Sequence, residues 1–209
     1  MYMAKLVYTL GNIRKLRYCT SVADDLISEI NRVHGELARA GRIPTQVVVA
    51  GQAMEPAPDL VAAYVAQHPG QDLTITIESA PIRQVVQETA RSAIDYLGKL
   101  QQRVPDLAHR LYGDPSSAGD SLPHLLEGLA WITDFLQAGF PILNENLQHQ
   151  EQALLLVRRW RQATDCLEPA ISSQDFTMLA DVLLDEILPI LDDIRQATTA
   201  AMGAGANHG

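Results

Sequence analysis

Cysteine is nearly absent from this chain of 209 residues. Cys19 and Cys166 stand far apart, with no C-x-x-C pair, which excludes a disulfide framework and a cysteine-rich zinc site. Both are expected to be inert buried thiols. Long apolar runs are missing too: stretches such as Ala153 to Val157 stop far short of the ~20 residues that cross a bilayer. Met1 to Leu10 alternates apolar and polar residues around Lys5 and lacks the continuous apolar segment of a signal peptide. A cytoplasmic protein without membrane contact is therefore expected. Lysine occurs only as Lys5, Lys15 and Lys99, and 16 basic side chains face 25 acidic ones for a formal charge of −9. That charge argues against general affinity for nucleic acid. What the chain does have is an apolar fraction of 47%, enough for one large or two small domains to bury a core.

Two periods divide the sequence. Tyr2, Ala4, Leu6, Tyr8 and Leu10 recur every second residue, Gly11-Asn12 offers a tight turn, and Ile13 to Cys19 alternates again, which predicts a hairpin. Val22, Leu26, Ile30, Val33 and Leu37 mark one face of a helix that Ser21 can cap and Gly41 can end. Val47 to Val49 and the alternating Leu73, Ile75 and Ile77 predict two further strands around a short helix over 59–67. Strand, strand, helix, strand, short helix, strand, with the last strand parallel to the first, is the order of a β-grasp (ubiquitin-like) module, expected over 1–80.

From Pro81 the period is helical. Ile82, Val85, Val86, Thr89, Ala93, Leu97 and Leu100 step by three and four until Val104-Pro105, where the first helix is expected to end. Gly113 to Ser121 predicts a flexible loop. Further helices are expected over 121–137, 141–166, with Pro141 in a first turn, and 172–201. Together these predict an antiparallel four-helix bundle over 81–202, with a disordered tail at 203–209. Residues 1–80 hold 7 basic and 8 acidic side chains, residues 81–209 hold 9 and 17, so the acidity sits on the helices. The fold class is thus α+β.

Three stretches carry a resemblance: Val47-Val48-Val49-Ala50-Gly51, Leu126-Glu127-Gly128-Leu129-Ala130-Trp131-Ile132 and Asp185-Glu186-Ile187-Leu188-Pro189-Ile190-Leu191. With them the chain resembles an uncharacterised bacterial family that joins a small strand-rich module to a helical bundle. The resemblance implies an architecture and carries over no functional residue.

Chemical signatures are sparse. His124 and Glu127 are three apart on one helix, and Glu145 and His149 four apart on the next, but a di-metal bundle needs inward carboxylates from four helices. The predicted core stripe of the second bundle helix is Leu122, Leu125, Leu126, Leu129, Ile132 and Leu136, which leaves His124 and Glu127 aside in a solvated or capping role. No G-x-S-x-G elbow, P-loop or G-x-G-x-x-G occurs. Cys166 near a helix C-terminus meets the dipole end that opposes a thiolate. No catalytic residue, metal or cofactor is expected.

The surface offers more. Trp131 and Phe135 lie opposite the Leu129 side of their helix, so that helix needs cover on two sides, and Trp160 raises the same question. Lys15 and Arg17 share one face of the hairpin, with Arg14 on the other, as candidates for an acidic partner protein. Asn146 and Gln150 fall on the apolar side of the third bundle helix, where a buried amide needs a partner. Pro189 should kink an otherwise central last helix. The expected function is non-enzymatic protein–protein interaction, as an adaptor, an assembly factor or an export or flagellar-type chaperone. Its expected contacts are Trp131, Phe135, Trp160, Lys15 and Arg17, and a homodimer is compatible with that reading. The alternative is an enzyme or small-molecule binder with a pocket between the two domains, lined by His124, Glu127 and Trp131.

Overall fold

The computed structural model describes residues 3–10, 13–20, 23–68, 73–144 and 147–206, with side chains omitted for 3–5, 9, 10, 13–20, 23, 24, 147–149 and 204–206. The protein is mixed α and β, mostly helical, and forms two compact units, Met1–Val85 and Val86–Gly209.

The first unit is a five-stranded sheet carrying two helices. Its elements are β1 (Met3–Leu10), β2 (Ile13–Thr20), α1 (Ala23–Arg39), β3 (Arg42–Val49), β4 (Gln52–Met54), α2 (Pro58–Ala66) and β5 (Thr74–Pro81). The strand order is β2-β1-β5-β3-β4. β1 pairs antiparallel with β2 from Met3 opposite Thr20 to Leu10 opposite Ile13. It pairs parallel with β5 from Lys5 opposite Thr74 to Tyr8 opposite Ile77. The period-two pattern explains the core: Leu6, Tyr8, Val47, Val49, Ile75 and Ile77 are buried with Leu26, Ile30, Val33 and Leu37 of α1. Tyr8 keeps its hydroxyl satisfied by donating to Glu36 Oε2 at 2.8 Å. Val7, on the other face of β1, is buried as well.

β4 was not expected. Ala50 and Gly51 both take positive φ, 51° and 85°, the two-residue turn whose twist suits a hairpin. The chain therefore returns along β3, with Val49 opposite Gln52. Pro44 sits where the β3–β5 register shifts, a place that tolerates a strand residue without an N–H.

The second unit is helical: α3 (Ile82–Gly113), a 3-10 turn (Pro115–Ala118), α4 (Ser121–Ala138), α5 (Phe140–Leu143), α6 (Leu147–Asp165), α7 (Leu167–Ser172), α8 (Phe176–Asp181), a π-helical turn (Val182–Ile187) and α9 (Leu188–Ala206). Several expectations need correction. α3 passes through Pro105 without ending, because Leu107, Ala108 and Leu111 beyond it are buried. At about 1.5–3 kcal/mol for each large buried side chain, that burial outweighs the ~3 kcal/mol cost of the proline. The stretch from Gly113 to Ser121 holds the 3-10 turn, in which Asp114 Oδ1 accepts from the Ser116 N–H at 3.1 Å and Arg110 donates to the Ser117 carbonyl.

The helix expected over 141–166 is broken at Asn144, whose buried amide donates to the Phe140 carbonyl at 2.9 Å. Asn144 is the buried amide of this region, whereas Gln150 is exposed and Asn146 lies outside the described residues. The last expected helix starts late, because Gln174 adopts φ 55° after α7. The Asp175 N–H then bonds back to the Ala170 carbonyl, closing α7 with a left-handed cap, and the Asp175 carboxylate caps α8 through the Met178 N–H at 2.9 Å. Before Pro189 the helix widens into the π turn, and the Leu188 N–H reaches the Leu183 carbonyl. A proline ring crowds the carbonyl four residues back, and a wider turn relieves that contact. α9 carries helical backbone past Gly203 to Ala206, into the expected tail. The remaining tail residues lie outside the described ones.

α3 and α9 are tied by polar bonds at the surface. Gln101 donates to Asp192 at 2.8 Å and accepts from Arg195 at 3.0 Å. Tyr112, near the end of α3, donates to Asp181 of α8, and this bond to a carboxylate raises the phenol's pKa.

Candidate binding groove on the helical unit

α3 and α4 leave two adjoining hollows between them. One, of about 690 Å³, lies against Tyr96, Lys99, Arg103, Glu127, Gly128 and Trp131. The other, of about 230 Å³, continues along Leu100, Arg103, Asp106 and Arg110 toward Ser121. Tyr96, Arg103 and His124 line both.

The groove owes its shape to a glycine. A Cβ at Gly128 would overlap the hydroxyl oxygen and Cζ of Tyr96, so only glycine lets the hydroxyl end of that ring rest against α4. Seated there, Tyr96 meets Trp131 edge to face, with centroids 5.8 Å apart and planes at 83°. Trp131 in turn stacks on Phe135 at 6.4 Å. Trp131 keeps 38% of its surface exposed while Phe135 keeps 4%. The indole is thus a rim residue backed by the partly buried Tyr96 and the buried Phe135. Burial raises the pKa of the Tyr96 hydroxyl; the Arg103 charge opposes the rise and Glu127 adds to it. The phenol stays protonated at neutral pH and available to donate.

The expected site residues part company here. Trp131 is the surface aromatic. Phe135 packs behind it and against Phe140, so it is core rather than contact. Trp160 is 1% exposed and its indole N–H donates to Thr133 Oγ1 at 2.9 Å. The chain's own α4 covers it, which removes it from the candidate contacts. Lys15 and Arg17 stand opposite Tyr8 and Leu6 in the β1–β2 register, and their side chains lie outside the described residues. His124 and Glu127 do meet, with Nδ1 to Oε2 at 3.6 Å, but about 80% of each side chain is exposed (80% and 79%). Such a pair is a weak surface contact. Glu145 and His149 lie outside the described side chains. Among the described residues no three His, Cys, Asp or Glu side chains gather to hold a metal. Cys166 is exposed rather than buried, and its thiol points to the Gln162 carbonyl at 3.3 Å.

Sequence reasoning missed Tyr96, Lys99 and Arg103. Their spacing of three and four on α3 was visible as a polar face, and Gly128 inside an apolar helix signals a close approach. Only the meeting of the two helices turns those signs into a site.

A family model described as a domain of unknown function, DUF8042, matches residues 88–197, just over half of the chain. The chain belongs to this family. The DUF8042 segment contains the whole groove from Ser92 to Trp131, the buried Trp160 and the π turn before Pro189. No curated protein and no solved structure matches the chain.

Proposed function

We propose that this DUF8042 protein is a non-enzymatic protein–protein interaction module, and that it holds its partner in the α3/α4 groove. The observation that carries the reading is Trp131: a large aromatic left 38% exposed, fixed from behind by Tyr96 and Phe135, at the edge of an open hollow of about 690 Å³. Preordered aromatics of this kind anchor interfaces at little entropic cost.

In this reading the first unit is a β-grasp, supported by the order β2-β1-β5-β3-β4 and the parallel β1–β5 pair. The second unit is a four-helix bundle, with α3, α4, α6 and the α8–α9 run as its long members. The protein acts in the cytoplasm as an adaptor, assembly factor or chaperone. In support of this, no helix among the described residues is long and apolar enough to cross a membrane.

The rival enzyme draws on His124, Glu127 and Trp131, which do gather at the groove. The first two form a 3.6 Å surface pair with side chains 80% and 79% exposed, where such contacts are weak.

The test is affinity capture by the tagged whole chain, compared with Trp131→Ala and a Cys166→Ser control. The reading expects a stoichiometric partner that is lost with Trp131→Ala and kept with the control. A partner that ignores Trp131→Ala would refute the groove, and an empty wild-type lane would refute the module.

A further inference from the structure

Leu154 and Leu155 on α6 are the most exposed large apolar side chains among the described residues, at 56% and 54%. The helix turns Ala153, Leu156, Trp160 and Ala163 to its buried side, so the two leucines belong to no part of the core. Glu151 lies three residues before the first and Arg158 three after the second. With 3.6 residues per turn, Glu151, Leu154, Leu155 and Arg158 fall within an arc of about 100°, and all four are exposed. Among the described residues neither Glu151 nor Arg158 has a hydrogen-bond or ion-pair partner. Arg159, beside this face, is already held by Asp193 at 2.7 Å. A hollow of about 520 Å³ opens next to Leu155 toward α9, which meets it with the short Ala197, Ala200 and Ala201.

The order along this face is acid, leucine, leucine, base, which is its own complement when reversed. An antiparallel copy of α6, crossing between Leu154 and Leu155, sets leucine against leucine and places Glu151 of each copy against Arg158 of the other. Parallel copies would instead set Glu151 against Glu151 and Arg158 against Arg158. Sliding the antiparallel pair by one helical turn sets a leucine against Glu151 or Arg158. One register therefore satisfies the apolar and the charged contacts together. In that register Arg161 and Asp165 fall opposite positions 148 and 144, neither of which is charged.

We infer that the protein forms a two-fold symmetric dimer in which α6 packs antiparallel on α6 of a second copy, with Leu154 and Leu155 at the centre and a Glu151–Arg158 pair on either side. One patch supplies both halves of such an interface, as two-fold symmetry requires. Burial of the leucines supplies the affinity, and the flanking charges set orientation and register, as they do between coiled-coil helices. None of these four residues lines the α3/α4 groove, so the inference stands apart from the docking reading above.

The test is sedimentation velocity of the whole chain over a concentration series. Wild type is expected to pass from monomer to dimer as concentration rises. Glu151→Arg and Arg158→Glu should each weaken association about tenfold or more, because like charges then meet twice across the two-fold axis. A chain carrying both substitutions should dimerise again, and so should an equimolar mixture of the two single variants, since every exchanged charge then faces its opposite. All the substituted positions are exposed, circular dichroism checks folding, and the two rescues separate lost pairing from lost structure. Leu154→Ser/Leu155→Ser should be monomeric. A wild type that stays monomeric up to about 1 mM, or a dimer indifferent to the single charge variants or to the leucine variant, overturns the inference. Single variants that dissociate without either rescue overturn the antiparallel register. Trp131→Ala should leave the dimer intact; a dimer lost with it would move the contact to the groove and overturn the α6 assignment, whereas a failed dimer leaves partner capture through Trp131 untouched.

Discussion

Gly128→Ala is a change that ordinary helix preference favours and this structure opposes. An alanine inside a helix gains about 1 kcal/mol over glycine. Here its methyl group would occupy the space of the Tyr96 phenol. The ring is rigid, so it must swing out as a whole or push α3 and α4 apart. Overpacking of this kind costs about 1–3 kcal/mol, and loss of the edge contact to Trp131 adds about 0.5–1.5 kcal/mol. Set against the helix gain, Gly128→Ala should destabilise by about 0.5–3.5 kcal/mol. In a Tyr96→Ala background the obstacle is gone, and the same substitution should stabilise by about 1 kcal/mol. The sign reverses, which no general effect of alanine can produce. Urea unfolding followed by tryptophan fluorescence reads this directly, because Trp131 and Trp160 both lie in the second unit. A stabilising Gly128→Ala in the Tyr96 chain, or the same sign in both backgrounds, would refute the packing argument.

Trp160→Phe should cost about 2–3 kcal/mol through the vacated space and the lost bond to Thr133, while Trp131→Phe should cost less than about 1 kcal/mol; a reversed ranking in urea midpoints would contradict the burial of the two rings. His34 on α1 has a buried Nε2 with no partner among the described residues, and burial lowers its pKa. Protons therefore bind the unfolded chain more readily, so stability of the first unit is full above about pH 6.5 and falls as the pH drops below that value toward the folded pKa. His34→Leu should flatten that acid slope in hydrogen exchange of the α1 and β5 amides, and an unchanged slope counts against the assignment. Gln174→Gly should stabilise the second unit by up to about 1 kcal/mol by relieving the positive φ, visible as a higher urea midpoint; a loss would show that the side chain itself matters.

What could be read in advance followed local chemistry. The series Leu26, Ile30, Val33 and Leu37, spaced by four and three, marked the buried face of α1, and the alternation around Leu6, Tyr8, Ile75 and Ile77 marked the central strands. Misreadings arose where tertiary contacts overrule local preference. Pro105 signals an end, but Leu107 and Leu111 find a core beyond it. Asn144 breaks a helix that its neighbours favour, and β4 is too short to show a period. A helical wheel finds Trp131 and Trp160 equally unpaired with a leucine stripe, and only the position of Thr133 separates the covered ring from the open one. The groove was legible in part. Trp131, His124 and Glu127 were named from α4 alone, whereas Tyr96, Lys99 and Arg103 gain meaning only from the helix they face.

The π turn at Val182–Ile187 alters the counting of the C-terminal segment. Buried Leu179, Leu183, Ile187 and Leu191 stand four apart, and in a regular helix each step of four overshoots a full rotation by about 40°. Their stripe would wind away from the core within three steps. A turn closed one residue later takes up much of that drift. The helix thus stores one surplus residue where a surface loop would otherwise be needed. Chains of this architecture can therefore differ in length by one residue inside a buried helix while keeping the same side chains inward on both sides of Pro189.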